Sequence, residues 1–324
     1  MTFETIGFGS SGVECRGWHF RALHDDLATE KGRPCAVMAH GLAGTMDSGL
    51  EPFATALARA GLDVLAFDYR GFGLSSGTPR QIVSPRRQQE DYRAALAAAA
   101  GLPGVDPGRL VLWGVSLAGG HVLSVAAGRA DVAAVVALTP LVDGAAAGRL
   151  ALSGHPKSQL LGTTALGLRA YAARAVGAEE VMMPVVGRPG SRAALTLEGV
   201  QESYLAIAGP SWRNRIGAAI TVELGSYRPI KDAAGVACPV LFQIADFDRS
   251  APPYAAVKAA VKARAEVRHY PCDHFDVYQG ADWHAAAVSH QVHFLTRHLG
   301  PRKSAEVPAV MSEEPEIRDI QRRG

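Results

Sequence analysis

The segment from Leu110 to Gly120 constrains the fold more than any other part of this chain. Leu110, Val111, Leu112 and Trp113 form a continuous apolar run, the pattern of a buried strand, and Gly114, Val115 and Ser116 follow directly. Leu117 then opens a helical pattern that runs to residue 129. No loop separates strand from helix, so the turn at Ser116 has to be sharp. Gly114 and Ala118 are small enough for the helix to pack close against the strand, which leaves the Ser116 hydroxyl exposed above the sheet. The backbone N–H of Leu117 then points where negative charge would collect on a substrate oxygen, and the helix N-terminus favours that charge. The pattern is a G-x-S-x-G turn with one departure: Ala118 holds the second glycine position, and Gly119 and Gly120 follow it.

The remaining segments supply a sheet for this turn to sit on. Residues 3–8 and 13–20 read as two strands joined by a Ser-Gly turn. Residues 35–39 and 63–68 read as buried strands, and 110–114, 132–138, 239–244 and 266–270 as further strands. Helical spacing occupies 52–60, 84–100, 117–129, 253–263 and 282–298. In the second of these, Ser84 is the expected cap, Pro85 fits the first turn and Gly101 ends the helix. Strands alternating with helices require an α/β fold, a mostly parallel sheet covered on both faces, here with an antiparallel hairpin at its start. The alternation stops between 143 and 236, where the chain is mainly helical and irregular. The 324 residues suffice for one large domain with an inserted lid. The expected organisation is a core of residues 1–142 and 237–300, a helical cap at 143–236, and a charged tail at 301–324, mobile or draped on the surface.

Composition removes several function classes. Hydrophobic residues make up 48% and charged residues 20%, values of an ordinary globular domain. With 33 Lys and Arg against 31 Asp and Glu, the net charge of +2 gives no electrostatic case for nucleic acid. The cluster Arg86-Arg87 is followed by Glu90 and Asp91 and reads as a solvated helix start. The four cysteines, Cys15, Cys35, Cys238 and Cys272, are far apart and suggest reduced thiols, not a disulfide framework or zinc site. His290 and His293 lie one turn apart but lack a third ligand, so no metal is expected. The N-terminus has no apolar core segment of a signal peptide, and no apolar run is long enough to span a membrane. The expectation is a cytoplasmic protein without a cofactor and without a membrane or nucleic-acid partner, with a homodimer left open.

Three further segments carry chemistry. His40-Gly41-Leu42 follows the strand at 35–39 and opens a glycine-containing loop, so the N–H of Leu42 is the natural second donor beside Leu117 for an oxyanion hole. His40 reads as a structural residue that fixes this loop. Asp68-Tyr69-Arg70-Gly71 makes another tight turn, braced by Asp68 and Arg70; it has neither dinucleotide-binding nor Walker A spacing. A serine nucleophile needs a carboxylate and a histidine later in the chain. Asp246 and Asp248 both follow the strand at 239–244; Asp248, deeper in the loop, is the better placed, with Asp246 and then Asp143 as alternatives. His274 follows the strand at 266–270 and is the expected general base, whereas Asp273 and Asp276 shape its loop. Ser116 would attack an acyl carbonyl, His274 would take its proton, and Asp248 would orient the imidazole.

The order His40-Gly41, Asp68-Tyr69-Arg70-Gly71, Gly114-x-Ser116, Asp248 and His274 resembles that of the α/β hydrolases over about residues 13–300. Ser76-Gly77-Thr78-Pro79-Arg80, Gln89-Glu90-Asp91-Tyr92, residues 184–190 and Ser211-Trp212-Arg213-Asn214 are similar to bacterial members related to fungal polyketide transferases and to Xaa-Pro peptidase-like hydrolases. The resemblance implies ester hydrolysis or acyl transfer on a small-molecule substrate. The insertion is rich in Leu, Met, Tyr and Trp, and Trp212, Tyr204 and Met183 are its expected substrate-binding residues. An apolar or medium-sized ester or lactone is the expected substrate. The alternatives are an acyltransferase, thioesterase or peptidase with the same residues, and a catalytically silent binding protein on the same scaffold.

Overall fold

A computed structural model describes residues 2–300 of the chain, so the expected tail at 301–324 lies outside the described residues. β1 (Glu4–Ser10) and β2 (Val13–Phe20) form the antiparallel hairpin, and β3 (Arg33–Ala39), α1 (Glu51–Arg59) and β4 (Asp63–Phe67) follow. α2 (Pro85–Ala100) leads into β5 (Val105–Val115), α3 (Leu117–Ala126) and β6 (Val132–Leu138). Residues 143–236 are inserted here. They carry α4 (Gly144–Gly154), α5 (Lys157–Ala175), β7 (Met182–Met183), α6 (Val200–Ile207), β8 (Ile216–Gly217) and α7 (Ile220–Glu223). The sheet resumes with β9 (Val240–Ala245), α8 (Pro253–Ala263) and β10 (Glu266–Tyr270), and α9 (His284–Leu299) closes the described chain.

The eight long strands form one sheet in the order β1-β2-β4-β3-β5-β6-β9-β10. β2 pairs antiparallel with β1 and β4, and every other pairing is parallel. The central strands are buried from both sides, so they are apolar throughout and their side chains serve two cores. Along β5, Leu110 and Leu112 join Leu96 of α2 and Val122 of α3, whereas Val111, Trp113 and Val115 join Phe53 of α1 and Phe294 of α9. Parallel register brings the strand ends to one edge: Ala39 stands beside Gly114, Val115 beside Leu138, and Ala245 beside Tyr270. The loops that follow these ends therefore converge, the usual location of ligand sites in parallel sheets.

Some local expectations differ from what the fold contains. β5 starts at Val105, because the polar stretch from Asp106 to Gly108 is a register shift inside the strand and not its boundary. The insertion is not helical alone: Met182 pairs with Gly217 and Met183 with Ile216, two residues each, too short for any alternation to show. Ser84 stands at the cap position of α2 with an extended backbone, but its side chain makes no capping bond. Asp91 is not part of a solvated helix start. It lies on the buried stripe of α2 with Gln88, Tyr92 and Ala95, and it accepts from Ser10 Oγ at 2.6 Å and Arg70 Nε at 2.7 Å. Only the Arg86–Glu90 pair of that cluster is a surface contact.

One polar chain crosses the second core. Trp113 Nε1 donates to Gln291 Oε1 at 3.0 Å, Gln291 Nε2 to Gln243 Oε1 at 2.6 Å, and Gln243 Nε2 to the Tyr270 hydroxyl at 2.6 Å. Both glutamines are fully buried, so each bond replaces one that water can no longer supply. Gln291→Leu strands the Trp113 N–H and the Gln243 carbonyl oxygen, and is expected to lower the unfolding free energy by about 2–4 kcal/mol in urea titrations.

Candidate active site

At Ser116 the backbone adopts φ 58° and ψ −120°, a conformation that an L-residue holds only when its surroundings enforce it. The enforcement is visible. Ser116 N donates to Leu138 O at 2.9 Å, and Ser116 O accepts from Leu141 N at 2.8 Å. Side chains are excluded where α3 approaches the sheet: a Cβ at Gly114 would overlap the Ala118 carbonyl, and one at Gly119 would come within 2.8 Å of Pro140 Cβ. The Ala118 methyl, by contrast, is accommodated in the core. The close approaches fall at 114, 119 and 120, so the alanine at 118 leaves the turn intact.

Register pairs Ala39 with Gly114, and this lays Gly41 against Ser116. A Cβ at Gly41 would lie 2.6 Å from Ser116 Cβ and 3.1 Å from its Oγ. The loop and the serine hydroxyl can share this space only with glycine present. Among the described residues, neither Leu42 N–H nor Leu117 N–H has an acceptor. The loop is held from both sides. The Tyr204 hydroxyl of α6 donates to Leu42 O at 2.7 Å, and His40 stacks on Tyr278, whose hydroxyl lies 3.2 Å from His40 Nε2. Burial, with a smaller contribution from the neighbouring His274, pushes the His40 pKa down to about 3, so His40 is neutral.

His274 Nδ1 lies 2.6 Å from Asp248 Oδ2, and both residues are buried. The other Asp248 oxygen accepts from Ser250 N at 2.7 Å and Ala251 N at 2.6 Å, which fixes the carboxylate. Burial opposes a charged imidazole, but the charge and hydrogen bond of Asp248 and the charge of Asp273 outweigh it, and the His274 pKa rises above its ordinary value. Asp273 accepts from His274 N at 2.8 Å and from Arg249 Nε at 2.6 Å. Arg249 in turn donates to Glu198 O of the insertion at 3.1 Å. Asp246 points elsewhere, to His269 at 2.6 Å, and Asp143 caps α4 through Ala146 N at 3.0 Å, so neither alternative carboxylate meets His274. His290, on α9, faces the Tyr270 hydroxyl at 2.9 Å.

Ser116, Leu42, Leu117 and His274 line one cavity of about 70 Å³, together with Tyr204 and Phe275. A chamber of about 490 Å³ adjoins it and shares Leu42, Ala147, Leu195, Leu224 and Ser250 with it. Of the three expected substrate-binding residues, only Tyr204 lines this space. Trp212 and Met183 line neither cavity: both are buried in the core shared with the sheet, and the Trp212 ring lies tilted against that of Tyr204 with centroids 5.2 Å apart. Their apolar character signalled burial, and sequence carries no sign of which buried face meets a cavity. The braces from Tyr204 and Arg249 were not legible either, because they join residues distant in the chain.

The family model for serine aminopeptidase, S33, matches residues 30–272. The chain belongs to this family of α/β hydrolases. It is 34% identical over 295 residues to the quorum-quenching protein AidA of Acinetobacter baumannii (strain MDR-ZJ06), covering 90% of this chain and 94% of that one. It is 30% identical over 180 residues to the polyketide transferase grgF of a Penicillium species, covering 56% of each. The crystal structure of the α/β hydrolase GrgF from Penicillium sp. sh18 superposes with a TM-score of 0.74 at 24% identity, over 92% of this chain and 99% of that one. The chain is therefore an enzyme of the α/β-hydrolase type, with the mostly parallel sheet and antiparallel N-terminal hairpin expected of it.

A base has to be neutral to accept a proton, and the His274 pKa is raised, so kcat/KM is expected to fall on the acid side with a midpoint above 6.5. In Asp248→Asn this midpoint moves down, and kcat drops by roughly 10⁴-fold; pH–rate profiles of both enzymes check it. Gly41→Ala drives a methyl group into Ser116 and is expected to lower kcat by about 10²-fold or more, measured beside thermal unfolding to separate rate from stability.

Proposed function

We propose that this enzyme is a serine hydrolase that cleaves a carboxylic ester or lactone of an apolar or medium-sized substrate through an acyl-enzyme on Ser116. The observation that carries this reading is the meeting, in one small cavity, of Ser116 on its strained turn, His274 bonded to Asp248, and the free N–H groups of Leu42 and Leu117. Ser116 Oγ attacks the carbonyl carbon as its proton passes to His274 Nε2. The carbonyl oxygen becomes an oxyanion and takes hydrogen bonds from Leu42 N–H and Leu117 N–H. The bond to the leaving oxygen then breaks, and His274 returns the proton to it. Water, deprotonated by the same histidine, releases the acid and restores the serine.

The shape of the space supports the substrate class. The cavity at Ser116 has room for the reacting bond alone, so the bulk of the substrate lies in the adjoining chamber, whose volume is that of a small-molecule site. Gly148, Ala151, Leu152 and Leu160 give its wall an apolar character. Tyr204 serves as wall and brace, and the Trp212 ring packs against it. The free cysteines fit a reducing compartment, consistent with a cytoplasmic enzyme acting on a small molecule. Acyl transfer or thioester cleavage is the second reading, favoured by the similarity to the polyketide transferase grgF and to the thiohydrolase aneE of Aspergillus aculeatus, 36% identical over 114 residues. The same acyl-enzyme would serve both: in acyl transfer an alcohol or amine takes the place of water, and in thioester cleavage the group that leaves is a thiol and water still releases the acid.

A fluorophosphonate probe is expected to label Ser116, located by peptide mass spectrometry, and to leave Ser116→Ala unlabelled. A folded protein without label would transfer the reading to a binding role. The chamber has its own test. Gly148 lines the chamber and no atom lies within 4 Å of a Cβ built there, so a side chain can leave the helix at this position without a clash at its Cβ. Gly148→Phe is expected to hold the rate on a two-carbon ester within about twofold and to slow an eight-carbon ester by about tenfold or more.

A further inference from the structure

A second polar chain lies beneath the candidate oxyanion donors. Tyr227, where the insertion returns to the core, places its hydroxyl 3.0 Å from Leu117 O and 2.8 Å from His121 Nδ1. His121 Nε2 faces the Gln88 side-chain amide at 3.1 Å. All three side chains are buried. Space for the hydroxyl depends on Gly120, where a Cβ would lie 2.5 Å from it.

Counting protons fixes the direction of this chain. Burial pushes the His121 pKa down to about 3, so the ring is neutral and has one N–H and one acceptor nitrogen. Tyr227 has a single hydroxyl proton. If His121 Nε2 donated to the Gln88 oxygen, Nδ1 would need the tyrosine proton, the contact with Leu117 O would hold none, and Gln88 Nε2 would stay buried without an acceptor. Turning the Gln88 amide by half a revolution exchanges its oxygen and nitrogen with almost no change in shape. Gln88 Nε2 then donates to His121 Nε2, His121 Nδ1 donates to the Tyr227 oxygen, and Tyr227 donates to Leu117 O. That arrangement gives the ring proton of His121 and the hydroxyl proton of Tyr227 each an acceptor, and leaves unpartnered only the Gln88 oxygen and one of its two N–H groups.

We infer that Gln88, His121 and Tyr227 are positioning residues that hold the Leu117 carbonyl at the start of α3, and through the Leu117 Cα the adjoining peptide whose N–H is aimed at the oxyanion. The inference rests on the serine-hydrolase reading above. It also joins the insertion to the chemistry. Leu224 and Gly225 line the chamber three and two residues before Tyr227, so the segment that borders the substrate also ends on the nucleophile helix.

The test has two independent parts. Tyr227→Phe, with ester hydrolysis measured under saturating and limiting substrate, is expected to lower kcat about tenfold and to leave KM within about twofold, because the donor is loosened and not removed. A merely structural tyrosine would change the melting temperature and leave kcat per folded enzyme unchanged. In the wild-type protein, ¹⁵N NMR of the assigned His121 ring is expected to find the proton on Nδ1. If Tyr227→Phe fails to fold, a proton on Nε2 still overturns the inference. An unchanged kcat in folded Tyr227→Phe, or a proton on Nε2, overturns the inference. A wild-type protein that neither hydrolyses esters nor takes the fluorophosphonate label removes the serine-hydrolase reading, and the oxyanion role of Leu117 with it. The His121 tautomer would still report the hydrogen-bond chain alone, so the two failures are distinguishable.

Discussion

The left-handed backbone at Ser116 is the constraint on which the site depends. The conformation is costly for a serine, by about 1–3 kcal/mol, and persists because neighbours on both sides hold it. Leu138 O and Leu141 N grip the peptide groups of Ser116, and Gly114 and Gly119 let α3 approach the sheet closely enough for that grip. The consequence is spatial. The same turn that raises the hydroxyl above the strand ends also starts a helix directly behind it, so the candidate nucleophile and the candidate oxyanion donor are set by one backbone geometry.

The other groups reach Ser116 through the sheet. Parallel register delivers the end of β3 beside that of β5, which brings Gly41 and Leu42, and the ends of β9 and β10 together, which brings Asp248 to His274. The insertion then fastens to these loops at separate points. Tyr204 holds the Leu42 carbonyl, Arg249 bonds both Glu198 and Asp273, and Tyr227 reaches Leu117. The insertion is thus more than a cover over the strand ends. Its hydrogen bonds end on the segments that carry the candidate site residues.

Much of this was legible in the sequence, and the boundary has physical causes. Elements with clear stops, such as β6, α8 and β10, were readable within a residue or two: β6 is apolar throughout, α8 buries one alanine face, and both α8 and β10 are bounded by loops. The strand–turn–helix at Ser116 was readable because small residues at fixed spacing leave few other geometries. Asp91 was misread because a charged residue beside Arg86, Arg87 and Glu90 looks solvated, and only the third dimension supplies Ser10 and Arg70 as its partners. Trp212 and Met183 were misplaced for the converse reason. Hydrophobicity marks what leaves water, and a cavity wall and a packed interior leave water alike. The hydroxyls of Tyr204 and Tyr227 had no local signal, since each acts on a backbone carbonyl more than 100 positions away.

The wall that α4 presents to the large chamber is made of Gly144, Ala145, Ala147, Gly148, Arg149, Ala151 and Leu152. Five of these seven are glycine or alanine, the smallest residues available. Gly144 is locked, since any Cβ there would overlap Leu224 O, but a Cβ at Gly148 meets nothing within 4 Å. At the unlocked small positions a substitution adds bulk, whereas Arg149 and Leu152 are the places where the wall can recede. None of them belongs to the sheet or to the strand-end loops. One helix face therefore sets the room beside Ser116 independently of the groups that surround the serine.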